Sequence, residues 1–531
     1  MKIPLRLLSV LFATWLLLPM PAFSENPEYS ENADAARRAP NIVVIMADDV
    51  GYGDVSCYGA ELVKTPNIDQ LAAEGIRFTS GYATASTCTP TRFSMLTGKY
   101  AFRQKGTGIA APNASAIIRP GTTTAASIVK SAGYKTAVIG KWHLGLGGPQ
   151  GPDWNGLLKP GPLEIGFDHC FLLPTTNDRV PQVYVHDHRV ANLDASDPLW
   201  VGRKKPSADH PTGKSHRDTL KMDWSHGHNN SIHNGIGRIG FYTGGHSARF
   251  RDEDLADKWV EKSIDFIEAN KDNPFFLFFS SHDNHVPRMP NERFQGKTAL
   301  GFRGDAIVEL DWCVGQLMAT LKRLQLDENT LVIFCSDNGP VLDDGYQDGS
   351  IEKNGAHEPG GPFSGGKGGV YEGGTRTPFI TRWSGKIAPG TSDKIVSTID
   401  FSASFAALVD QTLPNDAAVD SFNVLPALLG QPDAAGREHL VQQNNGNGGV
   451  YALREGDWKL LRHDNKKTYN LNVKKKLTHT KVPRLQLFNL KDDPAEKNNL
   501  MQQEVETGER LKNRLQSIID SGRSRPLNSN R

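Results

Sequence analysis

Four compact apolar runs interrupt an otherwise mixed pattern of polar and apolar residues along the chain. Each is four or five residues long and consists mainly of β-branched or aromatic side chains; the runs span 42–46, 136–139, 275–279 and 331–334. A strand that is exposed on one face alternates apolar with polar residues, and none of the four runs does so. We therefore predict that they form strands of a parallel sheet that is covered on both faces.

Amphipathic helical patterns lie between these runs. Thr65 and Pro66 suit the N-cap and the first turn of a helix that closes at Gly75. Apolar residues spaced three or four apart predict two longer helices, over 252–270 and 306–324. Strands that alternate with helices indicate the α/β class, so we predict a large, mostly parallel sheet sandwiched by helices.

The pattern changes near residue 429. Residues 451–461 predict two short strands about a Glu-Gly-Asp turn, residues 485–490 predict another strand, and 496–519 predict a polar amphipathic helix. We infer a smaller α+β C-terminal subdomain over 429–531, after a catalytic α/β domain over 39–428. A polar insertion, residues 179–251, interrupts that larger domain.

The N-terminus has the pattern of a secretory signal peptide over residues 1–24. Lys2 and Arg6 precede an apolar run over 7–18, and Ala22-Phe23-Ser24 forms a small-x-small cleavage site. A membrane anchor is the alternative, but the run is shorter than the ~20 residues that a span needs, and no later stretch qualifies. We therefore expect no stable membrane insertion, a flexible polar lead over 25–38, and a periplasmic or secreted protein.

Composition excludes several classes of protein. The chain has 531 residues, of which 38% are hydrophobic and 22% are charged, so it is neither disordered nor collagen-like. Sixty basic residues against fifty-nine acidic ones leave no global field for nucleic acid, and we expect no nucleic-acid partner. Five cysteines are an odd number for an oxidising compartment, so at least one of them must be unpaired or chemically altered.

Polar side chains follow all four predicted strands, at the sheet edge where open parallel sheets bind ligands. In chain order they are Asp48 and Asp49, Lys141 and His143, His282 and His285, and Asp337 and Asn338. The aspartates and the asparagine form an all-oxygen set that suits a hard cation such as Ca²⁺ or Mg²⁺. Any one aspartate after a strand could instead be a helix N-cap, but that explanation would have to apply four times over.

A cysteine lies near the start of another predicted helix. Pro90 would occupy the first helical position and place Cys88 at the N-terminal end, where the helix favours anions and a reactive thiol. The alternative is a buried cysteine that behaves as a small hydrophobe.

With these motifs in place, the chain resembles the type I sulfatases of the alkaline phosphatase-like superfamily. Their signature, C-x-P-[S/A/T]-R-x-x-x-[L/M]-T-G, is met by residues 88–98, with Thr91 where serine is more usual. Further motifs follow in family order: 48–54, 66–72, 140–145, 285–287, 336–339, 366–367, 371–378, 457–460 and 487–494. The resemblance covers nearly the whole mature chain, and the insertion over 179–251 matches least.

The resemblance implies a catalytic apparatus. Cys88 would be oxidised by a formylglycine-generating maturation enzyme to Cα-formylglycine, whose hydrated aldehyde attacks sulfur with one hydroxyl and later expels sulfate through the other. Asp48, Asp49, Asp337 and Asn338, with the residue derived from Cys88, would hold Ca²⁺, with Mg²⁺ as a possibility. Arg92, Lys141 and His143 would support the nucleophile, while His285 and Lys367 would bind sulfate and assist the leaving alcohol. Taken singly, Lys367 in its glycine-rich loop could equally be a solvated charge.

Three other functions compete with this hypothesis. A tyrosine phosphatase-like enzyme is excluded, because three residues separate Cys88 from Arg92 where that class needs five. A phosphonate or phosphate monoester hydrolase using the same formylglycine stays open, since the two esters share geometry. A non-catalytic glycan-binding relative would result if Cys88 stayed a thiol.

The substrate is expected to be a sulfated carbohydrate or a small sulfate ester. The insertion holds eight of the sixteen histidines and eleven basic residues against six aspartates, which fits a lining for a sulfated polysaccharide or an ordinary polar loop. Four tryptophans could stack on sugar rings: Trp142, Trp154, Trp200 and Trp224. The sugar, the sulfate position and the oligomeric state cannot be inferred from the sequence.

Overall fold

A computed structural model describes Met1 and residues 39–446, 448–469 and 479–527. Apart from Met1, the predicted signal peptide lies outside these residues, and so does the whole of the predicted lead. The strands are β1 (Asn41–Ala47), β2 (Ile76–Phe78), β3 (Gly81–Tyr82), β4 (Lys135–Lys141), β5 (His169–Leu173), β6 (Val185–His186), β7 (Arg189–Val190), β8 (Trp200–Gly202), β9 (Ile232–His233), β10 (Ile236–Gly237), β11 (Phe241–Thr243), β12 (Phe275–Ser280), β13 (Thr330–Ser336), β14 (Phe379–Arg382), β15 (Gly390–Ser392), β16 (Val396–Ser397), β17 (His439–Gln443), β18 (Val450–Glu455), β19 (Trp458–His463), β20 (Lys467–Tyr469), β21 (His479–Lys481) and β22 (Leu485–Asn489). The α-helices are α1 (Pro66–Ala73), α2 (Cys88–Thr97), α3 (Ala125–Ser131), α4 (Leu255–Ala269), α5 (Phe302–Arg323), α6 (Glu372–Thr375), α7 (Phe401–Leu408), α8 (Leu425–Leu428) and α9 (Val505–Asp520).

A ten-stranded mixed sheet forms the centre of the protein. Its order is β15-β2-β14-β13-β1-β12-β4-β5-β6-β7. The five neighbours from β13 to β5 run parallel, whereas β14 and β6 each pair antiparallel at the margins. The four apolar runs are the strands β1, β4, β12 and β13, so the prediction of a mostly parallel sheet is confirmed.

The sheet is covered on both faces, as its uninterrupted apolar strands require. Along β1, Ile42, Val44 and Met46 belong to one core cluster, and Val43, Ile45 and Ala47 belong to another. The helices α2, α3 and α7 cover the first face, while α1, α4 and α5 cover the second. In the described part of the chain, no helix is both long enough and apolar enough to cross a bilayer.

A second, smaller sheet lies in the C-terminal part. It is antiparallel in the order β17-β18-β19-β22, and the tight turn between β18 and β19 is the predicted Glu-Gly-Asp turn. The amphipathic helix α9 begins at Val505 rather than at about 496. Residues 490–504, which include Asp493-Pro494, form turns and irregular backbone in place of the first part of the predicted helix. Leu511 and Leu515 of α9 pack with Leu453 and Leu460 of this sheet.

Candidate active site

The chemistry-bearing residues meet at one edge of the central sheet. The register pairs Ala47 with Ser336, Met46 with Ser280 and Ser280 with Gly140, so β1, β13, β12 and β4 end side by side. Asp48, Lys141, His285 and Asp337 follow or end these strands, and all are buried. Parallel strands thus bring together residues that lie up to 289 positions apart in the sequence.

Close packing of the strand ends constrains the backbone here. Gly140 has a φ of 108°, and a Cβ at this position would lie 1.9 Å from the carbonyl oxygen of Ser280. Asp49 and His143 also adopt left-handed conformations, with φ values of 59° and 54°. Such conformations cost on the order of 1 kcal/mol or more for residues other than glycine, and they concentrate at functional sites.

Cys88 is the first residue of α2, the ten-residue helix whose side chains are all buried. The helix therefore starts two residues earlier than expected, and Pro90 occupies the third position, where its missing N–H costs no helical hydrogen bond. The Cys88 sulfur lies 3.8 Å from Asp48 Oδ1. Burial raises the pKa of the Cys88 thiol to about 12, with Lys141 opposing the shift, so the unmodified side chain is a poor nucleophile.

Two cations of the predicted set are fixed against the aspartates. Arg92, one turn along α2, donates from Nε to Asp337 Oδ2 at 3.0 Å and from Nη1 to the carbonyl oxygen of Lys141 at 3.0 Å. The Lys141 ammonium forms an ion pair with Asp48 Oδ2. Both cations are buried, so their charges act in a medium of low dielectric.

The carboxylates crowd more negative charge than these cations offset. Burial and then the neighbouring Asp337 raise the pKa of Asp48 to about 8, and burial also raises the pKa of Asp49. Burial would likewise raise the pKa of Asp337, but Arg92 and Lys141 outweigh it and lower that pKa. Asp48 and Asp49 therefore do not both ionise readily unless further positive charge is present. A bound cation would supply that charge.

The residues present fit a hard divalent cation. Donor atoms of Asp48, Asp49, Asp337 and Cys88 all lie within 4.8 Å of one another. Asn338 donates from Nδ2 to Asp49 Oδ1 at 2.7 Å, while its own buried Oδ1 has no hydrogen-bond partner among the described residues. An unpaired, buried amide oxygen beside three carboxylates is suited to ligate Ca²⁺ or Mg²⁺.

Two histidines present unprotonated ring nitrogens to the site. His143 Nε2 faces the Ala110 carbonyl at 3.2 Å, which leaves its buried Nδ1 without a partner within the described chain. His285 Nδ1 faces the Val286 carbonyl at 2.7 Å, and its Nε2 lies 3.9 Å from Asp49 Oδ2. Burial is the first cause that holds the pKa of both imidazoles well below 6.5, with Lys141 adding to it for each.

Lys367 is buried. The alternative that its glycine-rich loop leaves it as a solvated charge is therefore wrong. Its Nζ lies 2.7 Å from Asp49 Oδ2 and 2.7 Å from Asp344 Oδ2. These two carboxylates hold the lysine at the boundary between the acidic cluster and the space above it.

A cavity of about 140 Å³ opens above this cluster. Four of the predicted residues line it, namely Cys88, His143, His285 and Lys367. The other eight were not assigned to the site from the sequence, and five of them carry charged, imidazole or amide side chains: Asp178, Arg179, His228, Asp344 and Asn445. Arg179 and His228 belong to the insertion, and Asn445 follows β17 of the smaller sheet, so three parts of the chain build one cavity.

A polar network fixes the insertion's contribution. Asp178 accepts hydrogen bonds from Arg179 Nη1 at 2.8 Å, and its other carboxylate oxygen lies 3.0 Å from His228 Nε2. Burial would raise the pKa of Asp178, but Arg179 and His228 hold it well below 3.8, so the carboxylate is ionised. The signal in the sequence for Arg179 and His228 was the basic, histidine-rich composition of the insertion.

Some expected residues lie elsewhere. His282 does not line the cavity; its Nδ1 accepts from Trp259 Nε1 at 3.3 Å, behind the sheet edge. The tryptophans are also outside the cavity lining: Trp142 and Trp154 are buried with their indole N–H groups bonded to Gly145 and Asn113, and Trp200 is 42% exposed on β8. All five cysteines lie in described parts of the chain and are free, as the odd number allowed.

Comparison with known proteins agrees with this geometry. The family model described as Sulfatase matches residues 40–411. The chain is 48% identical over 479 residues to an N-acetylgalactosamine-6-O-sulfatase of Bacteroides thetaiotaomicron, covering 90% of this chain and 93% of that protein. It is 31% identical to arylsulfatase A of Homo sapiens, covering 88% of this chain and 84% of the human protein.

A solved structure shares the fold closely. It comes from work on glycosaminoglycan metabolism by Bacteroides thetaiotaomicron and superposes with a TM-score of 0.86 at 46% identity, covering 91% of this chain and 100% of that one. The family-model match takes in the central sheet, the acidic cluster and all of the cavity lining except Asn445. The chain therefore belongs to the sulfatase family, the sulfuric ester hydrolases of the alkaline phosphatase-like superfamily.

Proposed function

We propose that this sulfatase hydrolyses the 6-O-sulfate ester of N-acetylgalactosamine, as a free sugar or at the end of a sulfated glycan. The observation that carries the substrate is the 48% identity, over 90% of the chain, to a protein with that activity. The cavity is small and is lined by several charged and imidazole side chains, which supports a substrate that inserts one sulfated sugar, because so little space cannot enclose several rings.

Cys88 is the proposed site of the nucleophile. As Cα-formylglycine it would supply a hydrated aldehyde with two hydroxyl groups, one to attack sulfur and one to release sulfate by re-forming the aldehyde, a release that a simple alcohol or thiol does not offer. Asp48, Asp49, Asp337 and Asn338 would hold the divalent cation, which would supply positive charge against the sulfate group. The formylglycine and the divalent cation are both inferred from the residues around their sites.

His143 and the buried cations would control protons and charge at residue 88. The unpaired Nδ1 of His143 is a neutral acceptor that can take a hydroxyl proton. Arg92 and Lys141, fixed by Asp337 and Asp48, would stabilise negative charge that develops on the oxygen at this position.

Lys367 and His285 lie on the cavity side and would act on the substrate. The Lys367 ammonium would bind a sulfate oxygen. His285 Nε2, which is unprotonated before substrate binds, would take up a proton once the sulfate anion is in place and pass it to the leaving alcohol. In the net reaction the S–O bond to the sugar breaks, water supplies the new oxygen on sulfur, and the products are the alcohol, sulfate and one proton.

Asp178, Arg179 and His228 would recognise the sugar. The ionised carboxylate accepts hydrogen bonds but repels sulfate, so Asp178 suits sugar hydroxyl groups on the side away from the sulfate. A site with paired polar groups discriminates strongly against isomers that leave those groups unsatisfied.

The protein would act outside the cytoplasm. The signal-peptide pattern over residues 1–24 supports export to the periplasm or beyond, and a maturation enzyme would be needed to convert Cys88. Because Cys88 is only 2% exposed in the folded chain, this conversion would precede the packing of α2.

A panel of sulfated sugars tests the proposed substrate. N-acetylgalactosamine 6-sulfate should release sulfate fastest, ahead of N-acetylgalactosamine 4-sulfate and N-acetylglucosamine 6-sulfate; the corresponding 6-phosphate, included for the alternative phosphomonoesterase, should be the poorest substrate. His228→Ala should lower kcat/KM for the preferred sugar far more than for a small aryl sulfate, and His216→Ala, an exposed histidine of the same insertion, should change neither. Faster turnover of the 4-sulfate or of the phosphate would refute the proposed specificity.

A further inference from the structure

A cluster of two histidines and one aspartate lies at the margin of the central sheet. It consists of His169, the first residue of β5, with His186 and Asp187, which end β6 and begin the turn to β7. One imidazole nitrogen from each histidine and one carboxylate oxygen lie within 4.8 Å of one another. These residues take no part in the sulfatase site, and the proposal below goes beyond the proposed function.

Strand register separates this cluster from the catalytic edge. His169 pairs with Ala137 of β4, whereas Leu173, at the other end of β5, pairs with Lys141. Four residues along a strand correspond to about 13 Å, so the cluster lies toward the opposite edge of the sheet from the acidic centre.

The backbone brings the three side chains together. Phe171 pairs with His186 across β5 and β6, so His169, two residues earlier on the same face of β5, lies diagonal to His186. The two imidazole rings are 5.2 Å apart between centroids and nearly perpendicular. Asp187 has a φ of 51° in a two-residue hairpin turn, a conformation that aspartate tolerates better than most residues.

The carboxylate is anchored and ionised. Asp187 Oδ1 accepts from the Cys170 amide at 2.9 Å and lies 3.0 Å from His169 Nδ1, and Oδ2 lies 3.8 Å from His186 Nε2. Partial burial would raise the pKa of Asp187, but hydrogen bonds from His169 and Cys170 outweigh it and lower that pKa. The aspartate is therefore a preorganised anionic ligand, with a histidine next to each oxygen.

We propose that His169, His186 and Asp187 form a second metal site, selective for a borderline divalent ion such as Zn²⁺. Two imidazoles and a carboxylate are a donor set that Zn²⁺ prefers and that hard Ca²⁺ does not. In tetrahedral coordination at about 2.0–2.2 Å, ligand atoms lie roughly 3.3–3.6 Å apart. Here the carboxylate oxygens lie 3.0 Å from His169 Nδ1 and 3.8 Å from His186 Nε2, and the whole set lies within 4.8 Å. The side chains are 28%, 56% and 40% exposed, so an ion reaches the site from solvent and water completes its coordination.

Such an ion would brace the sheet margin. The strands β6 and β7 have only two residues each, and β7 is the last strand of the sheet, so few backbone hydrogen bonds hold this hairpin. A metal bound both by β5 and by the hairpin turn would add a crosslink between them. The crosslink would not involve any residue of the catalytic centre.

Zinc titration of the mature enzyme tests the site. With Ca²⁺ in excess to fill the oxygen-rich centre, calorimetry should show one Zn²⁺ equivalent that is lost, or weakened at least about a hundredfold, in the double variant His169→Ala/His186→Ala. Zinc should raise the Tm of the wild type by a few degrees and leave that of the double variant unchanged. Sulfatase activity in Ca²⁺ should be equal in the two proteins.

Two further variants sharpen the test. Asp187→Asn keeps an oxygen for the Cys170 amide but removes the charge, and it should weaken zinc binding. His246→Ala is the matched control, because His246 is exposed beside Asp197 at 2.8 Å and has no second histidine in its cluster, so zinc binding should not change. The proposal is overturned if the double variant and the wild type bind zinc equally, or if His246→Ala has the same effect as the double variant.

Discussion

Single residues decide whether the strand-end cluster is a metal centre. Asn338 is the most informative, because its buried Oδ1 has no partner among the described residues, while its Nδ2 is already bonded to Asp49. An unsatisfied buried acceptor costs about 1–3 kcal/mol, which a bound cation would recover. The electrostatic stress on Asp48 and Asp49 points the same way.

We predict one divalent cation per chain at this cluster. A chelator should lower the Tm and abolish activity, and Ca²⁺ or Mg²⁺ should restore both; at a hundredfold excess over Kd the ion contributes about 2.7 kcal/mol. Asn338→Ala should weaken the ion's affinity while leaving the carboxylates in place, and Asp197→Ala, an exposed aspartate, should have no effect. If chelation changes neither the Tm nor the activity, the cluster is not a metal site.

His143 is predicted to act in the chemical step and not in substrate binding. Its free Nδ1 can accept a proton, and loss of a general base typically costs about 10²- to 10⁴-fold in rate. His143→Ala should therefore reduce kcat by that order with little change in KM, while the Tm and the bound cation stay close to the wild type. A variant that keeps full kcat would remove His143 from the mechanism.

Residue chemistry could be predicted where a strand signal preceded it, and otherwise only through a helix start, as for Cys88, or the family resemblance, as for Arg92 and Lys367. Asp48, Lys141, His285 and Asp337 were found because each follows or ends an apolar run. Asp178, His228 and Asp344 come from loops without such a signal, and only tertiary structure brings them to the cavity. The left-handed backbone at Asp49 and His143 was equally hidden, since it depends on the packing of neighbouring strands.

Among the elements, the insertion is the one whose role extends beyond the cavity. Its exposed segment after β8 carries Arg203, Lys204 and Lys205, whereas Arg179 and His228 line the cavity itself. We therefore propose that the segment attracts more distant sulfate groups of a glycan without taking part in the reaction.

We expect that Arg203→Gln, Lys204→Gln and Lys205→Gln together lower kcat/KM on a sulfated oligosaccharide and spare a small aryl sulfate. The difference should shrink at high salt, because exposed charges are screened over about 8–10 Å at physiological ionic strength. A control triple of other exposed lysines, Lys64, Lys386 and Lys394, should leave both substrates unaffected. Equal losses on both substrates would instead indicate a folding defect, and no loss would show that this cluster is ordinary surface.

The elements themselves differ in how far the sequence predicts them. The strands β1, β4, β12 and β13 and the helices α1, α4 and α5 agree with the predictions because long apolar runs and stripes leave few alternatives. β5 begins with His169 and Cys170 and has only three strongly apolar residues after them, so it gave no distinct signal. The start of α9 was placed too early because polar turn residues and polar helix residues are alike in composition.

At the scale of the whole molecule, buried neutral histidines tie stability to pH. His233, on β9 of the insertion, is the clearest case; burial first and then Arg238 lower its pKa to about 4. The unfolded chain binds this proton below pH 6.5 but the folded chain does not, so stability is full above 6.5 and falls as the pH drops toward 4.

His233→Gln should remove about one proton from this pH dependence. With pKa values of about 4 and 6.5, His233 destabilises the fold by about 2 kcal/mol at pH 5 relative to pH 8. Unfolding measured at both pH values should therefore show a smaller decrease in the variant than in the wild type. Identical decreases would mean that His233 is protonated in the folded protein.

The arrangement of the whole molecule makes residue 88 the centre of the account. The sheet edge, the buried helix α2, the insertion and the smaller sheet all contribute to the space around it. In this arrangement the thiol has a raised pKa and little exposure, and the proposed mechanism requires its chemical conversion.

Mass spectrometry of the peptide that ends at Arg92, taken from active enzyme, tests this claim most directly. We predict an aldehyde at residue 88 that hydrazine traps with loss of activity, while the peptides that contain Cys170 and Cys313 keep their thiols. Cys88→Ala should fold and bind the cation but release no sulfate. An unmodified thiol at residue 88 in fully active enzyme would contradict the account.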